Sequence, residues 1–212
     1  MSHGVHAVQH EAEHQMQHEG GHGHGHGEEK SLIEGRNKKI ALLIAVIALF
    51  LAFSETLGKS AQTSAISYNV EASNLWAFFQ AKTIRRTLVE TAGQALALEA
   101  NAREEAARAP FTKQLDAWQK TAARYRSEPE TREGSVELAA RAKDAEHKRD
   151  VALAKYHHYE VASAAFQIGI VLASATVITG MIVLSWLAGG LALVGLGFMA
   201  IGLFAPEAVH LM

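Results

Sequence analysis

The amino-acid sequence predicts an all-α integral membrane protein, with three transmembrane helices and a long antiparallel, coiled-coil-like helical stalk between the first and second. Three observations predict it. Apolar residues are segregated into blocks at 40–53, 164–187 and 188–205, although a fifth of the chain is charged. No charged residue interrupts Phe166–Phe204, and a hydrocarbon core about 30 Å thick needs about 20 helical residues, so this run is roughly two crossings. Between the first two blocks lies a charged, alanine-rich stretch whose apolar residues recur at helical spacing. In lipid each backbone group must be bonded within its own segment, which makes the spans helices.

The elements follow in order. Residues 1–36 read as a disordered His-rich cytoplasmic tail, too poor in apolar side chains to bury a core. Residues 37–57 read as the first span. Its apolar core also fits a signal-peptide core or a buried helix, but the polar leader is long for a secretory signal. Arg36, Lys38 and Lys39 flank it and place the N-terminus in the cytoplasm. Residues 58–160 then form the stalk on the periplasmic side.

Ala, Glu, Lys, Arg, Gln and Leu dominate the stalk, and all are strong helix formers. An unbroken helix over 58–108 rises on the order of 75 Å, and helices at 111–127 and 135–160 return on the order of 65 Å. The match favours one helix out and two back; a break at Gly93 gives a squatter three-helix bundle instead. Seams appear at Phe111, Leu115, Trp118, Ala122 and Tyr125, and again at Leu138, Ala142, Ala145, Ala152, Tyr156 and Tyr159. Pro129 ends one helix and Ser135 is the expected N-cap of the next. The second span is 161–184 and the third 188–206, with the turn expected at Gly189–Gly190 and a tail at 207–212.

Small residues line one face of each span: Ala41, Ala45, Ala48 and Ala52; Ala165, Gly169, Ala173, Thr176 and Gly180; Ala188, Ala192, Gly195 and Gly202. Close backbone approach through such residues joins helices in lipid, so these faces are expected to pack a three-helix bundle, with room for self-association. Glu55 continues the first stripe, and an intramembrane carboxylate points to function. With Gln167 and His210 it is expected to form a polar layer, or else to reach headgroup water.

The tail carries eight of the twelve histidines, among them His6, His10, His14, His18, His22, His24 and His26. Spacings of four put two imidazoles on one helical face, a chelating arrangement for Zn²⁺ or Ni²⁺. Nothing pre-organises the site, so weak metal binding is the expectation and no other cofactor is implied. His157 and His158 are adjacent, point apart, and read as interfacial anchors beside Tyr156 and Tyr159. No nucleophile–base motif or phosphate loop occurs, so no enzyme is expected. A formal charge of −2 gives no reason to expect nucleic acid, and the absence of cysteine leaves the redox compartment open.

The segment "ASNLWAFFQAKTIRR" at 72–86 resembles a bacterial family of uncharacterised membrane proteins, domain of unknown function 4337. The likeness rests on Trp76, Phe78, Phe79, Gln80, Ala81, Lys82 and Arg85. It extends to the polar leader, the charged helical middle and the approach "HH" at 157–158 with "FQIGI" at 166–170. The resemblance implies a three-pass protein of the bacterial inner membrane, and no reaction. Trp76, Phe79, Gln80 and Lys82 make an aromatic and amide patch, an expected association surface or a packing surface against the returning helix near Tyr156. The expected role is a structural or scaffolding homo-oligomer; the alternative is a channel or metal-linked transport component.

Overall fold

The computed structural model describes residues 26–208. Among them are four α-helices and no strand: α1 (His26–Asn101), α2 (Ala109–Arg126), α3 (Ser135–Thr179) and α4 (Ile182–Phe204), with a 3₁₀ turn at Glu105–Ala107. Three of these, α1, α3 and α4, carry a stretch long and apolar enough to cross a membrane. The apolar stretch of α1 belongs to a much longer helix that runs on through Gly93 without a break.

Backbone contacts divide the chain into two units. One holds the described residues up to Ala52 with Ala164–Leu196; the other holds Phe53–Ser163 with the described residues from Gly197.

In the first unit α1, α3 and α4 share a core of Ile40, Ala173 and Ala188, flanked by Ile44 and Leu172. The stripe Ala41–Ala52 does not face it: all four alanines are exposed, and Ile40 and Ile47 are buried instead. The reason is complementarity. α3 and α4 already supply the small residues, so the partner must fill the gap with a large one. A Cβ added at Gly169 would sit 3.4 Å from the Ala188 carbonyl and 3.8 Å from Ile47 Cδ1. Phe166, fully buried, lies against Phe50 at 6.2 Å between centroids and over Gly195, where a Cβ would fall 2.7 Å from its ring.

The turn between α3 and α4 is at Gly180–Met181, not at Gly189–Gly190, which lie inside α4. Gly180 takes φ +72°, the left-handed region where only glycine avoids a steric penalty. Its N–H closes on the Thr176 carbonyl at 2.9 Å, and the Thr179 hydroxyl accepts from the Met181 N–H at 3.3 Å. A glycine pair marks a turn only if the backbone leaves the helix there, and glycine within an apolar helix is equally a packing device.

In the second unit α3 runs antiparallel to α1: Ser54 meets Tyr159, Trp76 meets Glu146, and Lys82 meets Glu133 just before α3 begins. The core is Ala72, Leu75, Leu138, Ala142 and Ala145, with Trp76 and Phe79 packed on it. Burial recurs at multiples of seven, at Ser54, Ala61, Leu75 and Lys82 on α1, with Tyr68 half-buried between Ala61 and Leu75, and at Leu138, Ala145, Ala152 and Tyr159 on α3. A 3.5-residue repeat is the signature of helices supercoiling left-handedly. Of the α3 seam read from the sequence, Leu138, Ala142, Ala145, Ala152 and Tyr159 are buried and Tyr156 is half-buried, and α2 buries Ala122 within the seam expected for it.

Candidate functional site

The patch expected around Trp76 resolves into an interior cluster of the second unit. Trp76 sits edge-on to Phe79 at 5.3 Å, and its indole N–H donates to Glu146 Oε1 at 2.8 Å. An indole half-buried against alanines needs a partner for its one donor, and α3 supplies it. These aromatics pack between Leu138 and Glu146, not near Tyr156, because the antiparallel register sets Trp76 opposite Glu146.

Lys82, one heptad beyond Leu75, is buried at 7% exposure. A buried ammonium costs several kcal/mol unless compensated, and here four groups surround it. Glu128 Oε2 and Glu133 Oε2 lie 3.7 and 3.8 Å from Nζ, and the rings of Phe78 and Tyr125 each lie 5.5 Å away. Helix α2, the α2–α3 turn and α1 thus converge on one cation. Gln80 faces solvent.

The turn that delivers Glu128 and Glu133 is closed by side chains. Ser127 Oγ donates to Glu137 Oε1 at 2.6 Å and the Glu128 N–H to Glu137 Oε2 at 3.2 Å. The Ser127 hydrogen bond, the largest cause, holds the Glu137 carboxyl below its ordinary pKa. Ser135 is the first residue of α3 but spends its hydroxyl on the Arg126 carbonyl at 3.2 Å, tying the end of α2 to the start of α3. Gly134 is buried where an added Cβ would fall 2.6 Å from Ser127 Cα, so no side chain fits. Arg132 is left-handed at φ +59°.

A second polar layer lies where α3 nears its apolar half. The Ser54 hydroxyl, buried, donates to the Tyr159 carbonyl at 2.9 Å. His158 is fully buried, stacks on Phe198 and meets the Pro206 carbonyl through Nε2 at 3.0 Å. Its position against α4 depends on Gly202, where a Cβ would lie 3.1 Å from His158 Cβ. His158 is therefore no interfacial anchor, whereas His157 is partly exposed beside Glu160.

Of the expected polar layer, Glu55 is exposed on α1 and Gln167 is exposed on α3. His210 lies outside the described residues, as do His6, His10, His14, His18, His22 and His24; of His26 only the backbone is described. Among the described residues no three His, Asp or Glu side chains converge as a metal site would require.

A family model described as a domain of unknown function (DUF4337) matches residues 36–205. This chain belongs to the DUF4337 family. The match spans α1 from its apolar run onward, together with the whole of α2, α3 and α4. The DUF4337 segment thus holds every residue of the Lys82 cluster and of the turn that supports it. No curated protein and no solved structure matches the chain. Sequence reasoning found Trp76, Phe79 and Lys82 but missed Glu128, Glu133, Glu137 and Glu146, since nothing local separates these from the other glutamates of a charged helix. The signal was there at longer range: once α1 and α3 are laid antiparallel, the seam positions put Glu146 beside Trp76.

Proposed function

We propose that this protein is a structural, non-enzymatic component of the bacterial inner membrane that scaffolds by associating with copies of itself. In this reading α1, α3 and α4 each cross the bilayer, with the N-terminus cytoplasmic and residues 58–160 periplasmic as an antiparallel stalk. The exposure of Leu42, Leu49, Val171, Ile178, Trp186 and Leu193 supports the bilayer part. Large apolar side chains in such number are stable only against lipid or another protein.

The observation that carries self-association is the outer face of α1. Opposite the buried seam, positions 70, 74, 77, 81, 84, 88, 91, 95 and 98 repeat at 4 and 3 and hold Val, Asn, Ala, Ala, Ile, Leu, Thr, Ala and Leu, with no charge among them. Val70, Ile84, Leu88 and Leu98 are 53%, 59%, 64% and 74% exposed. A solvated helix face ordinarily carries the helix's charges, whereas here Glu71, Arg85, Glu90 and Glu99 flank the stripe. An uncharged heptad stripe matches a second copy of itself without repulsion, which is what a two-fold interface requires.

The chain has no cysteine, so single cysteines report the contact cleanly. In native membranes Ile84→Cys and Leu88→Cys should form disulfide-linked dimers on mild oxidation, while Val89→Cys, turned toward the interior, should not. Failure to cross-link at both outer positions, or equal cross-linking at Val89, refutes the reading.

A further inference from the structure

Within the second unit α1, α3 and the end of α4 enclose a half-open groove of about 480 Å³. Its walls are two-toned. Leu57 and Leu203 line one part, and Ser60, Tyr68, Lys148 and Lys155 supply polar tips. Leu57 lies one turn past the apolar run 40–53, beyond Ser54, Glu55 and Thr56, and Leu203 lies near the end of the apolar run 188–205, so in the bilayer reading the groove opens where hydrocarbon gives way to headgroups.

The two lysines differ. Lys148 is taken up by Asp144 at 2.7 Å. Lys155, half-buried, has no acidic partner among the described residues. The hydroxyls of Ser60 and Tyr68 form no hydrogen bond among the described residues either; the Ser64 hydroxyl goes to the Ser60 carbonyl instead. Among the described residues, one ammonium and two hydroxyls therefore line the groove with no hydrogen-bond or ion-pair partner, Tyr68 lying also near the Lys148 ammonium. A half-buried cation lacking a counter-charge is costly, and a phosphate oxygen answers both its charge and its donors.

We propose that the groove binds the phosphate headgroup of an anionic phospholipid, with Lys155 as the cationic anchor and Ser60 and Tyr68 as hydroxyl donors. The apolar part decides for lipid over free phosphate: acyl chains cover Leu57 and Leu203, and an inorganic ion leaves them bare. Basic groups at the headgroup level favour anionic lipid, and this inference rests on the bilayer reading above.

The test titrates phosphatidylglycerol, phosphatidylcholine or inorganic phosphate into the full-length protein in a neutral detergent and follows its melting temperature. Phosphatidylglycerol should raise it saturably; the other two should not. Lys155→Ala should shift half-saturation upward at least tenfold, Lys155→Arg should retain binding, and Lys113→Ala, an exposed lysine of α2, should leave it unchanged. Should Lys155→Ala fail to fold, Lys155→Gln and Tyr68→Phe provide the same readout. Equal stabilisation by phosphatidylcholine, reproduction by inorganic phosphate, or an unmoved half-saturation in the Lys155 variants overturns the proposal. Alkaline carbonate extraction of membranes separates the two failures. A chain that washes off overturns the bilayer reading, while a chain that stays but ignores phosphatidylglycerol overturns this inference alone.

Discussion

Replacing Lys82 by methionine keeps the length and apolar stem of the side chain and removes only the charge. Two ion pairs at 3.7 and 3.8 Å are longer than a hydrogen bond, and Glu133 is half exposed, so each contributes about 0.5–1 kcal/mol. The two ring contacts at 5.5 Å add about 0.5–1 kcal/mol each. Against that loss of about 2–4 kcal/mol, methionine is spared the desolvation of the ammonium and gains about 1–2 kcal/mol. Breaking a fully buried pair costs about 3–5 kcal/mol because an orphan charge remains. That case does not apply, since Glu128 keeps Arg124 at 3.4 Å and Glu133 reaches water. The net expectation for Lys82→Met is a loss centred on about 1.5 kcal/mol within a range of about 0–3 kcal/mol, or about 3–6 °C in Tm at the centre for a chain of this size. Helical circular dichroism on heating the detergent-solubilised protein reads it. Lys82→Glu, which sets a third carboxylate between two others, should be the worse variant. A Lys82→Met protein that melts at or above the parent would refute the compensation argument and mark the cluster as a net cost.

Two further expectations follow from the packing and the turn. Gly195→Ala puts a methyl 2.7 Å from the Phe166 ring, inside the normal 3.5–4.0 Å contact, and should destabilise by about 1–3 kcal/mol. Phe166→Leu should relieve it, and Gly189→Ala or Gly190→Ala, with nothing within 4 Å, should be neutral; equal losses at all three glycines in thermal unfolding would refute the packing account. Because the folded Glu137 carboxyl is held below its ordinary value of 4.5, its contribution is complete above that value and is lost as pH falls through the lower, folded one. Acid titration of stability should therefore show a loss below about pH 4.5 that is weaker in Glu137→Gln, and superimposable acid curves would remove Glu137 from the turn.

The sequence made the helices legible and their faces only partly so. Periodicity identified Leu138, Ala142, Ala145, Ala152 and Tyr159, because long charged helices hide their apolar side on one line. It failed for the first apolar run, where each face is hydrophobic and periodicity carries no information; the small-residue rule then chose the alanines, and the structure buries Ile40 and Ile47. The turn was misplaced for a related reason: Gly180 and the Gly189–Gly190 pair look alike in a run without polar punctuation, and only backbone dihedrals tell a reversal from a close approach. In the Lys82 cluster the α1 members were visible as an aromatic–basic group, but Glu128, Glu133 and Glu146 come from elsewhere in the chain, and only tertiary register selects them. The same holds for His158, whose burial is set by Gly202 and the Pro206 carbonyl rather than by its neighbours.

The sevenfold repeat of burial on α1 and α3 makes length in the second unit a counted quantity. Removing two residues between Ala61 and Leu75 would rotate all that follows on α1 by about 200°, turning Lys82 away from its two glutamates. Excision of seven preserves the facing, but only if α3 loses seven in step between Leu138 and Ala152. Natural shortening or lengthening of this segment should accordingly come as paired heptads, one on α1 and one on α3.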